Sequence, residues 1–240
     1  MGNNSKNGWV ENVQFNPHYW KRANISMIDL TDQDLLNDAV NTTLESMIFG
    51  DNASEHVLST FGYGAKNLLK FVSQGKGGTN GVFIGHGSDG CRNALVAEQI
   101  GNVYMINSEL VSMNGTGDMY HINLKSTVTG TLCLFNTSAW ANPKGTSIRV
   151  DGGNLLVCQM FYHNLEYTDH IAEVSAGKLY ISSCMLPHKN RFFVTYKEGL
   201  IRSKGNLYKQ LASKIQPSNA GYNTLINGVG RYFPTNCWWI

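Results

Sequence analysis

The sequence predicts an all-β chain wound as a parallel β-helix, a single solenoid domain over residues 1–240. Three observations predict it. A pattern recurs as GNVYMINSEL from Gly101, GTLCLFNTSAW from Gly130, GNLLVCQMFY from Gly153 and GKLYISSCML from Gly177. After each glycine, apolar residues alternate: Val103 and Met105, Leu132 and Leu134, Leu155 and Val157, Leu179 and Ile181. Period-two alternation marks a strand with one buried face. The glycines fall 29, 23 and 24 residues apart, within the repeat lengths of solenoids, propellers and arrays, about 20–50 residues. Finally, each copy follows a second short apolar strand, around Leu95, Ile122–Leu124, Ile148–Val150 and Ile171–Val174.

In chain order, Gly8–Phe15 (GWVENVQF) is an early copy, with Val13 and Phe15 alternating after Asn12. Strand-like sequence begins almost at once, at Trp9, which predicts a chain lacking earlier N-terminal rungs. Asn16–Arg22 follows as a turn, because Pro17 biases Asn16 away from helix and breaks a ladder. Its Trp20 cluster suits a sugar platform or an aromatic plug on the core equally well. Thr31 and Asp34 then resemble a capping box. Leu35, Leu36, Ala39, Val40, Leu44, Met47 and Ile48 keep helical spacing. An inserted amphipathic helix is therefore expected over 32–48. Residues 62–81 form an irregular rung, and the regular series runs from Gly81 to Leu186. Over 204–216, Gly205-Asn206-Leu207 fits another copy, whereas Leu207, Leu211 and Ile215 fit a C-terminal capping helix. The helix is the preferred expectation, within a cap over 204–240 that ends in Trp238 and Trp239.

The unit is thus strand, short corner, strand and longer loop. A rung cannot bury its apolar face alone, so it must stack on its neighbours. Leucine-rich repeats have a tighter period, and a propeller blade needs four strands in about 40 residues. Asn107-Ser108, Asn136-Thr137 and Ser182-Ser183 recur at matching places, as ladders along a stack require. Cys133, Cys158 and Cys184 also fall within copies. Small core fillers are the expected reading, with a disulfide ladder the minor one. Cys91 and Cys237 bring the count to an odd five, without CxxC spacing.

These copies, their partner strands and Gly8–Phe15 together resemble the pectate-lyase-like right-handed parallel β-helix superfamily. The resemblance is architectural and reaches no catalytic signature. It implies a right-handed coil, polysaccharide lyases or glycoside hydrolases, and an extracellular or periplasmic setting. The enzyme is the favoured expectation; the resemblance also implies noncatalytic tailspike or adhesin domains as the alternative, and the architecture admits an oligomer.

Composition narrows the partners. Lys+Arg 19 against Asp+Glu 17 gives a net charge of +2, with no basic cluster to hold nucleic acid. No apolar run approaches the roughly 18 residues that a membrane span needs. No signal peptide is visible in Met1–Asn7.

Chemistry is expected on the longer loops, which all lie along one edge of a solenoid. They hold most of the histidines, and plain turns have no need of these. Asp89, Asp118, Glu166 and Asp169 are the candidate catalytic acids and bases. His86, Arg92, His121, Lys125 and Arg149 would position substrate, with Trp20 and Trp140 stacking on sugar faces. Asn123, Lys125, Arg149 and Asp151 are read as pointing outward, with Arg149 and Asp151 free to pair with each other. Glu173 is read one rung after Asp151. Carboxylates one rung apart would stand about 5 Å apart, and neighbouring rungs or loops can build both the roughly 5–5.5 Å of retaining glycosidases and the roughly 6.5–9.5 Å of inverting ones. No spacing is diagnostic of a metal site or cofactor, although a lyase would bring in calcium. The expected ligand is a polysaccharide or oligosaccharide.

Overall fold

The computed structural model describes residues 6–16, 41–113, 117–141, 143–163, 170–186, 193–196, 198–208 and 224–225. Each turn of chain gives one strand to each of three parallel sheets. The first sheet stacks Lys6–Glu11, Ser54–Leu58, Thr79–Ile84, Ile100–Ile106, Thr131–Phe135, Asn154–Cys158, Lys178–Ser182, Leu200–Lys204 and Thr224–Leu225. The second stacks Gln14–Phe15, Phe61–Tyr63, Gly87–Asp89, Glu109–Val111, Ser138–Trp140, Phe161–Tyr162, Met185–Leu186 and Leu207–Tyr208. The third stacks Glu45–Phe49, Asn67–Phe71, Asn93–Ala97, Tyr120–Leu124, Ile148–Val150, Ala172–Val174 and Phe193–Thr195. The chain is a parallel β-solenoid, in keeping with the right-handed β-helix expected, and crossovers between parallel strands of one sheet are overwhelmingly right-handed.

The register carries the repeat. Leu132 pairs with Val103 on one side and Leu155 on the other, and Leu134 with Met105 and Val157. Leu155 and Val157 pair in turn with Leu179 and Ile181. All are buried. Partner-strand residues Leu95, Ile122, Ile148 and Ala172 line the opposite wall in register. Burial of each such aliphatic side chain contributes about 1.5–3 kcal/mol. Toward the N-terminal end the interior turns aromatic: Phe49 and Phe71 meet Phe83 edge-on, with ring centroids 5.0 and 5.3 Å away.

The corner between the first and second sheets explains the recurring Asn and Ser. One residue there takes a left-handed conformation: Asn107 at φ 53°, Asn136 at 50°, Ser183 at 53°, and Gly85 and Gly205 in their own turns. Asn tolerates this region better than other side chains. Asn136 Nδ2 also donates to Asn107 Oδ1 across 2.8 Å. The next residue points inward, so Thr60, His86, Ser108, Thr137, Met160, Cys184 and Asn206 are all buried. The repeat glycine serves close packing. A Cβ at Gly130 would collide with the carbonyl oxygens of Ile100 and Gly101 on the rung below.

Between the third and first sheets, the buried Asp51 ties down a loop. Its carboxylate accepts from Ser73 Oγ (2.7 Å) and from the backbone N–H groups of Gln74 (2.8 Å), Lys76 (3.1 Å) and Gly78 (2.6 Å).

Three expectations change. Residues 41–43 are helical, but Glu45–Phe49 form a strand, with Met47 paired to Leu69 and Phe49 to Phe71. A short apolar run fits either period, and here the ladder to the next rung decides. Residues 32–40 lie outside the described residues. Leu200–Lys204 and Leu207–Tyr208 are strands paired to the preceding rung, so a further copy stands here in place of a helix start, but its repeat glycine is Gly199, and Gly205 is the left-handed corner residue. Residues 209–216 lie outside the described residues. Cys184 and Cys91 are buried, whereas Cys133 and Cys158 sit on the outer face of the first sheet, between the inward Leu132/Leu134 and Leu155/Val157. They are not core fillers. Register offsets Cys133 from Cys158 by two residues along neighbouring strands, which puts their Cα atoms about 8 Å apart, beyond disulfide reach.

Candidate functional site

Corners between the first and second sheets are tight, while the connections from the second sheet to the third are three residues long after Tyr63 and Asp89 and longer after Val111, Trp140 and Tyr162. The longer ones share one edge, and the outer face of the third sheet begins beside it, whereas Gly85 and His86 lie in a corner between the first and second sheets and Gly87–Asp89 form a strand. Asn123, Arg149 and Glu173 stand in register on that face. Lys125, Asp151 and Ser175 follow just past the strand ends. Glu173 matches Arg149 rather than Asp151, and Asp151 lies level with Ser175.

Arg149 organises the site. Its Nε donates to Asp151 Oδ1 and its Nη1 to Glu173 Oε2, both at 2.8 Å. Ser175 Oγ donates to the same Asp151 oxygen at 2.7 Å. His170 Nδ1 stands 3.3 Å from Glu173 Oε1. The guanidinium loses solvation in this place, but hydrogen bonding and the two carboxylates outweigh that loss and raise its pKa. A cavity of about 500 Å³ opens over the cluster, lined by Ser126, Arg149, Asp151, Glu173, Ser175 and Tyr196. Among the described residues the bonds to Asp151 fall on Oδ1 and those from Arg149 on Nε and Nη1. Asp151 Oδ2 and Arg149 Nη2 therefore remain for a ligand.

The network extends toward the loop edge. Tyr120 donates its hydroxyl to Asp118 Oδ2 at 3.2 Å, and Arg92 Nε donates to the Asp118 carbonyl at 3.1 Å. Burial, with the negative charge of Asp118, pushes the Tyr120 phenol up to about 12, so it stays a donor. Asp118, Arg92, Arg149 and the exposed Lys125 thus lie on or beside one face.

The other candidates lie elsewhere. Asp89 is on the outer face of the second sheet, its Oδ1 accepting from the Gly90 N–H at 2.6 Å. Trp140 ends a strand of the same sheet and stacks on His163, with centroids 4.1 Å apart. Sequence reasoning missed Glu109 on this face. Burial, then the Asp89 charge, raises its carboxyl above the usual range. His86 and His121 are inside the coil, fully shielded, and so cannot touch a ligand on the surface. His86 Nδ1 meets Thr60 Oγ1 at 2.9 Å. His121 Nε2 donates to the Trp140 carbonyl, and its Nδ1 accepts from Ser147 Oγ at 2.8 Å. Burial drops both imidazoles to about 4, so they are neutral at pH 7. Trp20, Glu166 and Asp169 lie outside the described residues. Asp151, Glu173, Ser175 and Tyr196 join the site through register and rung stacking, and for Asp151 the outward alternation was a usable signal.

Among the described residues, no group of three His, Cys, Asp or Glu side chains could hold a metal ion, and no helix is long and apolar enough to cross a membrane. No family model, curated protein or solved structure matches the chain.

Proposed function

We propose that the chain is a polysaccharide-active β-helix that binds a glycan along the third sheet, beside its loop edge. One observation carries this reading: a single open cavity gathers a cation, two carboxylates one rung apart, two hydroxyls and the half-exposed Tyr196 ring. Sugars present adjacent hydroxyls and apolar ring faces. Arg149 Nη2 can donate to one hydroxyl, Asp151 Oδ2 can accept from the next, and Tyr196 offers a surface for stacking. Rigid strands hold these groups, so little ordering remains to be done on binding.

Cleavage is the first reading, as a glycoside hydrolase or polysaccharide lyase. Asp151 and Glu173 come from neighbouring rungs, offset by two residues along the strands and bridged by Arg149; paired carboxylates of this kind are what glycosidases use, and Asp118 lies beside them. A noncatalytic glycan-binding β-helix is the second. It is favoured by the guanidinium between the two carboxylates, since proton transfer by either would require displacing a 2.8 Å ion pair.

A glycan panel separates the two, scored for binding, for reducing-end release and for absorbance of unsaturated products. Turnover that Asp151→Asn and Glu173→Gln abolish while binding persists supports the enzyme. Binding without turnover, lost in Arg149→Ala, supports the binder. Neither binding nor turnover across the panel would sink both.

A further inference from the structure

The outer face of the first sheet takes no part in that site. One column of its side chains runs from Glu11 through Leu58, Ile84 and Ile106 to Phe135. It continues through Cys158 and Ser182 to Lys204. Tyr104 and Leu156 lie in the column beside it, with Arg202 at the Lys204 end. Ile84, Tyr104, Phe135 and Leu156 are 37%, 48%, 51% and 39% exposed. Contiguous exposed apolar surface of this kind marks an interaction site.

Its chemistry indicates what covers it. Between Leu58 and Phe135 the first column carries no hydrogen-bonding side chain, so it lacks the directional contacts that a sugar demands. A pleated face is complementary to another flat sheet, packed about 10 Å away. Charge supplies the direction. Glu11 is exposed at one end of the patch, and Arg202 and Lys204 are exposed at the other.

We propose that this face docks a second copy of the chain, antiparallel, about a two-fold axis at the step between Ile106 and Phe135. That step is the midpoint of the column, so the axis sets Ile106 against Phe135 of the partner subunit and Ile84 against Cys158 of the partner subunit. It also sets Glu11 against Lys204 of the partner subunit, once at each end of the interface. Such an interface is isologous and closes at two copies. A parallel pairing would instead oppose the cationic ends. The second and third sheets remain open, so the glycan face stays accessible in the dimer.

Sedimentation velocity on the whole chain tests this, with circular dichroism on every variant. The expected result is a mass that rises from one copy to two with concentration. Phe135→Lys, or Ile84→Lys if the first variant misfolds, leaves a monomer with an unchanged spectrum. Glu11→Lys and Lys204→Glu each weaken association about tenfold, and the double swap recovers to within about threefold of the wild type. A chain that remains single up to about 100 μM, forms trimers or open-ended aggregates, or fails to recover in the double swap overturns the proposal.

Discussion

At the residue scale, the two interior histidines carry a definite pH dependence. His86 and His121 are neutral when folded, with pKa values near 4 against an ordinary imidazole value of 6.5. Between those values the unfolded chain binds more protons than the folded one, so stability falls as pH drops from about 6.5 to about 4. Each histidine accounts for up to roughly 3 kcal/mol of that loss, at about 1.36 kcal/mol per unit. Urea midpoints measured from pH 7 down to 4 should fall accordingly, and proton NMR should show two imidazoles that do not titrate above pH 5. These residues also mark a limit of the sequence. Histidines in loops suggest a surface site, yet His86 follows the left-handed corner residue Gly85 and is turned inward by it. Nothing short of the corner's backbone conformation shows that. Asp151 was legible as an outward carboxylate able to pair with Arg149, whereas the facing of Glu173 and its place level with Arg149 depended on register.

At the element scale, the corners and the repeat glycine hold the coil together. Asn136→Val should cost about 1–2 kcal/mol, because a β-branched residue is strained at φ 50°. Asn136→Gly should stay within about 0.5 kcal/mol of the wild type, and thermal melts would check both. Gly130→Ala should cost at least about 2 kcal/mol, since the new methyl meets backbone oxygen rather than a movable side chain. The Asp51 clasp makes a local prediction. Asp51→Ala should speed hydrogen exchange at Gln74, Lys76 and Gly78 with little change elsewhere. Burial opposes ionisation of Asp51, but its hydrogen bonds prevail and lower its pKa. Its contribution is therefore present above the ordinary carboxyl pKa and is lost as pH falls through the lowered one. The first-sheet strands from Gly101 to Ser182 were legible because alternation survives in each of those four copies. Glu45–Phe49 was not, because Leu44, Met47 and Ile48 keep helical spacing until the pairing of Met47 with Leu69 and Phe49 with Phe71 is known. Cys133 and Cys158 were misread for a related reason: membership of a repeat does not fix a face, while their parity against Leu132 and Leu155 does.

At the scale of the whole molecule, three faces have three characters. The first sheet carries an exposed apolar patch between charged ends, the second carries aromatic rings with Asp89 and Glu109, and the third carries the ion-paired cavity. Long loops beside the second and third sheets make that edge variable while the rungs stay regular. This division was visible in the sequence as repeats interrupted by histidine- and carboxylate-bearing loops. The cavity was not, because it joins residues from successive turns that only stacking brings together. Glycan binding as proposed there depends on Arg149. The decisive measurement is calorimetric titration of a glycan selected from the panel into the wild type and into Arg149→Ala, with circular dichroism to confirm that both are folded. Glycan recognition at the third sheet predicts wild-type binding weakened at least about tenfold, or about 1.4 kcal/mol, in the variant. Equal affinity in the two proteins would contradict it.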